Sequence, residues 1–129
     1  MHKKINSLKN KKILLCITGS IAAFKACEIV RLLRKQKAIV QVMMSKSAEK
    51  FIGKATFAAL TNNEVLTNLF PDTPKSGLEH IELSLDIDLI VVAPATANIL
   101  SKVANGIADE IVSTTLSVCE QPTIFAPAM

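Results

Sequence analysis

The chain has 129 residues, half of them apolar, with three cysteines, two histidines and a formal net charge of +4. That length holds one domain with a real core, and no apolar run approaches the ~20 residues that a membrane span needs, so a membrane is not an expected partner. Trp and Tyr are absent and the basic residues gather at the start (His2, Lys3, Lys4, Lys9, Lys11, Lys12) instead of lining one face, so nucleic acid is not an expected partner either.

Residues 1–11 read as a solvated basic tail. The apolar run that follows is too short for a secretory leader and reads as a first strand, Ile13 to Thr18, in a soluble cytoplasmic protein. From Ser20 to Lys35, Ala22, Ala26, Ile29, Val30 and Leu33 recur at helical spacing, with Lys25, Glu28, Arg31 and Arg34 opposite, which predicts an amphipathic helix. Ala38 to Met44 is a second strand, closed by Ser45-Lys46-Ser47, and short helices are expected around residues 48–52 and 56–60. Phe70 to Gly77 is a loop by its Pro and Gly content, and a short helical or irregular segment, His80 to Leu85, follows. The strongest strand is Ile87 to Ala93, apolar without alternation, as suits burial on both faces of a parallel sheet. Pairing is expected to stop at Pro94, which has no amide to donate. Asn98 to Ala104 and Ala108 to Val118 read as helices separated near Gly106, and Pro122 to Ala126 as a last strand.

Alternating strands and helices predict an α/β fold, Rossmann-like, with a parallel sheet between two helical layers. In such sheets ligands bind beyond the carboxyl ends of the strands. Four segments fall there: Gly19-Ser20-Ile21-Ala22, Ser45-Lys46-Ser47, Pro94 to Asn98, and Ala126-Pro127-Ala128-Met129. Singly, each has a bland reading as a turn or a helix cap. Together they line one rim, and the turn after the first strand suits a phosphate on backbone amides, with the Ser20 hydroxyl as a further donor. The GxGxxG fingerprint is missing, which favours a mononucleotide. Cys16, Cys27 and Cys119 lack CxxC spacing and read as reduced structural thiols; two histidines are too few for a zinc site, so no metal is expected.

Four blocks, Gly19-Ser20-Ile21-Ala22-Ala23 with Lys25, His80-Ile81-Glu82-Leu83, Ala93-Pro94-Ala95-Thr96-Ala97-Asn98, and Ala126-Pro127-Ala128-Met129, occur in the order and spacing of a known family. Over Lys12 to Met129 the chain resembles the homo-oligomeric flavin-containing cysteine decarboxylases. Within them it is similar to the phosphopantothenoylcysteine decarboxylases of coenzyme A biosynthesis, commonly the N-terminal half of a bifunctional decarboxylase–synthetase.

The resemblance implies that residues 12–129 form an FMN-binding domain, working as a homotrimer or as a dodecamer built from trimers. It implies that Gly19, Ser20 and Ile21, with Ser45, Lys46 and Ser47, hold the phosphate and ribityl chain. Thr96, Ala97, Asn98 and Ile99 would contact the flavin, as would Met129, and His80 matches the family's acid/base. The implied reaction converts 4′-phosphopantothenoylcysteine to 4′-phosphopantetheine: the flavin oxidises the cysteinyl thiol, carbon dioxide leaves, and the reduced flavin returns the hydride. An imidazole suits the proton transfers, because its reference pKa of ~6.5 lies near working pH.

The family also uses an Asn after Pro-Ala-Met and a Cys on a flexible flap, and the sequence stops at Met129, before either. None of the three cysteines takes over that role. The expectation is a chain that binds FMN but is impaired as a complete decarboxylase unless another polypeptide supplies the rest. Two alternatives stand beside it: a peptidyl-cysteine decarboxylase of the same superfamily, and a non-catalytic FMN-binding regulatory subunit. A prenyl-flavin synthase of similar fold lacks the His-Ile-Glu-Leu block.

Overall fold

The computed structural model describes residues 8–68 and 86–128. Four strands, β1 (Lys12–Ile17), β2 (Ile39–Met44), β3 (Leu89–Ala95) and β4 (Thr123–Pro127), form one sheet in the order β2-β1-β3-β4. Every pairing is parallel, with Leu15 opposite Val42 on one side and Val91 on the other. The central strand β1 is buried from Ile13 to Ile17. Alternation along it sends Leu15 and Ile17 to one face and Leu14 and Cys16 to the other.

Each face has its own core. Leu15, Ile17, Val42 and Met44 pack with Val30 of α1 (Ala26–Lys35) and Phe57 of α2 (Lys54–Thr61). On the opposite face Leu14, Ile90 and Val92 pack with Ile99 of α3 (Ala97–Ala104) and with Ile111 and Val112 of α4 (Ile111–Val118). The result is the expected three-layer α/β/α arrangement, because a sheet apolar on both faces needs helices on both. Among the described residues no helix is long and apolar enough to cross a membrane.

Most element boundaries shift by one or two residues from those the sequence predicts, and three differences have a visible cause. The first helix begins as a tight 3-10 turn, Ile21–Lys25, before α1 proper. Helix α4 starts at Ile111, not Ala108, because Glu110 and Ser113 form a reciprocal capping box: Glu110 Oε1 accepts from the Ser113 amide at 2.6 Å, and Ser113 Oγ accepts from the Glu110 amide at 3.2 Å. Pro94 does not end β3. The Ala93–Pro94 peptide is cis, the register shifts between Val92 and Ala95, and pairing resumes with Ala95 opposite Pro127. A proline without an amide is accommodated at the irregularity, and the Ala128 amide then bonds the Ala95 carbonyl at 3.1 Å.

One sheet edge is covered. Leu66 bridges Met43, its amide donating to the Val42 carbonyl at 3.0 Å and its carbonyl accepting from Met44 at 2.9 Å. Residues 8–10 form a turn held to the body by the Asn10 amide on the Lys37 carbonyl at 3.0 Å. The loop predicted at Phe70 to Gly77 and the segment His80 to Leu85 lie outside the described residues.

Candidate functional site

In a parallel sheet all four strands end on one rim, so the segments after Ile17, Met44, Ala95 and Pro127 share it. From β1 the chain crosses to β2 on one side, and β3 lies on the other. The gap between β1 and β3 is therefore the switch point at which such sheets open a crevice. A cleft of about 270 Å³ is found on this rim, lined by Thr18, Ser45, Lys46, Ser47, Thr96, Asn98, Ile99, Lys102 and Glu110. A smaller one of about 170 Å³ adjoins it, bordered by the same Lys46 and Glu110 with Thr67, Asn68, Asp109 and Ile111.

The turn after β2 is built by its own hydroxyls. Buried Ser45 accepts from the Ala48 amide at 3.2 Å and meets Ser47 Oγ at 3.1 Å. Those bonds hold Lys46 at the mouth, where its exposed ammonium supplies positive charge. Gly19 touches this turn from β1: a Cβ built there would lie 2.5 Å from Ser47 Cβ, so only glycine lets the two loops meet. Ser20 caps the 3-10 turn, its Oγ accepting from the Ala22 amide at 3.1 Å while its carbonyl accepts from Ala23 at 2.8 Å. With those two amides taken, the turn offers fewer donors to an anion than the sequence predicts.

Across the cleft, Thr96 caps α3 by accepting from the Ile99 amide at 3.2 Å. Asn98 and Lys102 lie one turn apart on α3 and both reach the lining, with Ile99 beside them. Lys102 pairs with Asp109 at 3.0 Å, and its hydrogen bond holds the Asp109 carboxyl below the usual aspartate range. Burial, with Cys119 and Glu110 as lesser causes, pushes the Cys16 thiol far up. It is a core group, as the sequence predicts.

The cleft thus gathers Ser45, Lys46, Ser47, Thr96, Asn98 and Ile99. Gly19, Ser20, Ile21 and Ala97 are not among its lining: Gly19 abuts Ser47, Ser20 caps the 3-10 turn, Ile21 stands 76% exposed on that turn, and Ala97 opens α3 on the exposed surface. His80 and Met129 lie outside the described residues. Thr18, Lys102 and Glu110 are lining residues that the motifs miss. Lys102 was detectable as the i+4 neighbour of Asn98; Glu110 reaches the rim only because α4 returns there. Hydroxyls, amides and one open ammonium suit a phosphate joined to a polyol, and about 270 Å³ is at the small end for ligand pockets, room for part of such a molecule.

The Flavoprotein family profile matches residues 1–129. The chain belongs to that family. It is 45% identical over 122 residues to the coenzyme A biosynthesis bifunctional protein CoaBC of Bacillus subtilis (strain 168), an alignment covering 95% of this chain and 30% of the relative. This flavoprotein therefore spans about a third of the length of that curated relative. Among solved structures it superposes on the FMN-dependent cysteine decarboxylase SpaF with a TM-score of 0.87 and 31% identity, covering 95% of this chain and 70% of that one. A PPC decarboxylase variant complexed with pantothenoylaminoethenethiol gives a TM-score of 0.77 at 27% identity, with 94% and 68% covered.

Proposed function

We propose that this flavoprotein chain binds FMN and serves the decarboxylation of 4′-phosphopantothenoylcysteine to 4′-phosphopantetheine in coenzyme A biosynthesis. One observation carries the assignment: a switch-point cleft walled by Ser45, Lys46, Ser47, Thr96, Asn98 and Ile99 in a chain 45% identical to a CoaBC protein. Lys46 and the hydroxyls of Ser45 and Ser47 hold the phosphate and ribityl end, and Gly19 keeps their loop in place. Thr96, Asn98 and Ile99 face the rest of the cofactor; the family resemblance adds Ala97 and Met129 there, and Ser20 and Ile21 at the phosphate and ribityl end. When bound, FMN supplies the two-electron chemistry that lets a cysteinyl carboxylate leave as carbon dioxide. His80 is the proton donor and acceptor for the substrate, an imidazole being able to do both near neutral pH. The working unit is a cytoplasmic homo-oligomer, a trimer or a dodecamer built from four trimers.

The closer superposition on SpaF, an FMN-dependent cysteine decarboxylase, with a TM-score of 0.87 against 0.77 for the PPC decarboxylase variant, keeps a second reading open, a peptidyl-cysteine decarboxylase of the same superfamily. The higher identity to CoaBC ranks the small-molecule substrate first. The test is to load the purified chain with FMN and record its visible spectrum, then to offer phosphopantothenoylcysteine and a cysteine-terminated peptide separately to a longer version that also carries the family's Asn and flap Cys. Flavin bands with phosphopantetheine formed from the first substrate alone support the proposal. A colourless protein refutes the cofactor, and turnover of the peptide alone refutes the substrate. In that longer version His80→Asn is expected to keep the colour and stop carbon dioxide release.

A further inference from the structure

Thr18 closes β1, is 3% exposed and borders the cleft. Its hydroxyl reaches across the switch point to the turn after β3. The O–H donates to the Pro94 carbonyl, the oxygen accepts from the Thr96 amide at 3.2 Å, and Thr96 Oγ1 lies 3.4 Å away. A hydroxyl has one hydrogen and two lone pairs. With its hydrogen on Pro94, and at most shared with Thr96 Oγ1 over the 3.4 Å contact, Thr18 has no donor left for a ligand. Thr96 Oγ1, for its part, spends a lone pair on the Ile99 amide and keeps its own hydrogen. No acceptor for that hydrogen is seen among the described residues, and the cleft that both residues line is open to it.

We infer that Thr18 is a positioning residue: by anchoring the Pro94 carbonyl and the Thr96 amide, it sets the Thr96 hydroxyl to donate its hydrogen to an acceptor on the bound ligand. This rests on the proposal that FMN occupies the cleft. A merely structural Thr18 would lower stability when altered and leave affinity alone, whereas a positioning Thr18 acts on affinity through Thr96.

The test is FMN titration, followed by quenching of flavin fluorescence, of the native chain, Thr18→Ser, Thr18→Val, Thr96→Val and the Thr18→Val/Thr96→Val double variant, with thermal unfolding run in parallel. Thr18→Ser keeps the hydroxyl and is expected to bind within about threefold of native, while Thr18→Val weakens binding about tenfold. The double variant is expected to bind no more weakly than Thr96→Val, because positioning a donor that is gone has no effect. Native-like affinity in Thr18→Val, or losses that multiply in the double variant, would overturn the inference. If Thr18→Val does not fold, Thr18→Cys, with a weakly bonding thiol, replaces it under the same expectation. A native chain that binds no FMN overturns the cofactor assignment and this inference together; a native chain that binds beside an unaffected Thr18→Val overturns this inference alone.

Discussion

Replacing Gly19 with alanine tests the join between the β1 and β2 loops. The added Cβ would lie 2.5 Å from both Cβ and Oγ of Ser47 and 3.0 Å from its carbonyl carbon. Rotating the Ser47 side chain relieves the Oγ contact only. Carbon atoms prefer about 3.5–4.0 Å, so the loops must part by about 1 Å. Overpacking of this kind costs about 1–3 kcal/mol, and the stiffer unfolded chain of alanine returns about 0.4–1 kcal/mol. A net loss of about 1–2 kcal/mol corresponds to a Tm lower by about 3–10 °C in a domain of this size. Because the parting moves Ser47 and Lys46 away from Thr96, FMN affinity is expected to fall about tenfold as well. The assay is thermal unfolding by circular dichroism with FMN titration below the transition. Gly53→Ala is the control, since a Cβ there meets nothing within 4 Å. A Gly19→Ala chain as stable as Gly53→Ala and binding FMN like the native protein would refute the claim that the two loops touch through Gly19.

Phe57 is fully buried between α2 and the sheet, so Phe57→Ala is expected to cost about 3–5 kcal/mol in denaturant unfolding, with FMN contacts untouched. Lys46→Gln removes the open charge at the cleft mouth; FMN binding should weaken severalfold and lose most of its salt dependence, while riboflavin, lacking the phosphate, changes little. The Asp109 carboxyl is held low by Lys102, so its contribution to stability is present above the ordinary aspartate value of 3.8 and is lost as pH falls through the lowered folded value. Asp109→Asn should therefore flatten the fall of Tm between about pH 5 and 3, and an unchanged profile would dismiss the pair. Cys16, buried with its thiol pushed up, should resist a thiol-modifying disulfide reagent at pH 8 in the native state and react fully once unfolded.

The fold was legible because its signals are local and repeated. Apolar runs at Ile13–Ile17 and Leu89–Ala93 mark strands buried on both faces, and the spacing of Ala26, Ile29, Val30 and Leu33 marks the helix between them. What local pattern could not carry was backbone detail set by distant partners. Propensity places a helix from Ser20 onward, but the Ser20 oxygens draw in the amides of Ala22 and Ala23 and tighten the first turn to 3-10. Pro94 looked like the end of a strand, because the loss of one donor is visible in sequence while the resumption of pairing with Pro127 depends on where β4 lies. In the site, Ser45, Lys46, Ser47, Thr96 and Asn98 could be found because they follow buried strands directly. Thr18 went unread since it looks like the last residue of β1, and its bonds reach 78 positions along the chain to Thr96.

A serine or threonine after a strand invites two readings, helix cap or ligand donor, and the hydrogen bonds on this rim leave room for both. Ser20, Ser45 and Thr96 each accept from a backbone amide two or three residues on, at 3.1 to 3.2 Å. Capping uses an oxygen lone pair and leaves the hydroxyl hydrogen to be donated elsewhere. The cap fixes where the oxygen sits, and the hydrogen is then held out from a stiff turn at little further entropic cost. An exchange that keeps the acceptor and removes the donor separates the two functions: Thr96→Asp still caps α3 but sets a carboxylate where a hydroxyl stood. Its Tm should stay close to native while FMN affinity falls steeply, since a carboxylate has no hydrogen to offer an acceptor on the ligand and repels it instead. Loss of both in equal measure would mean that Thr96 is a cap and nothing more.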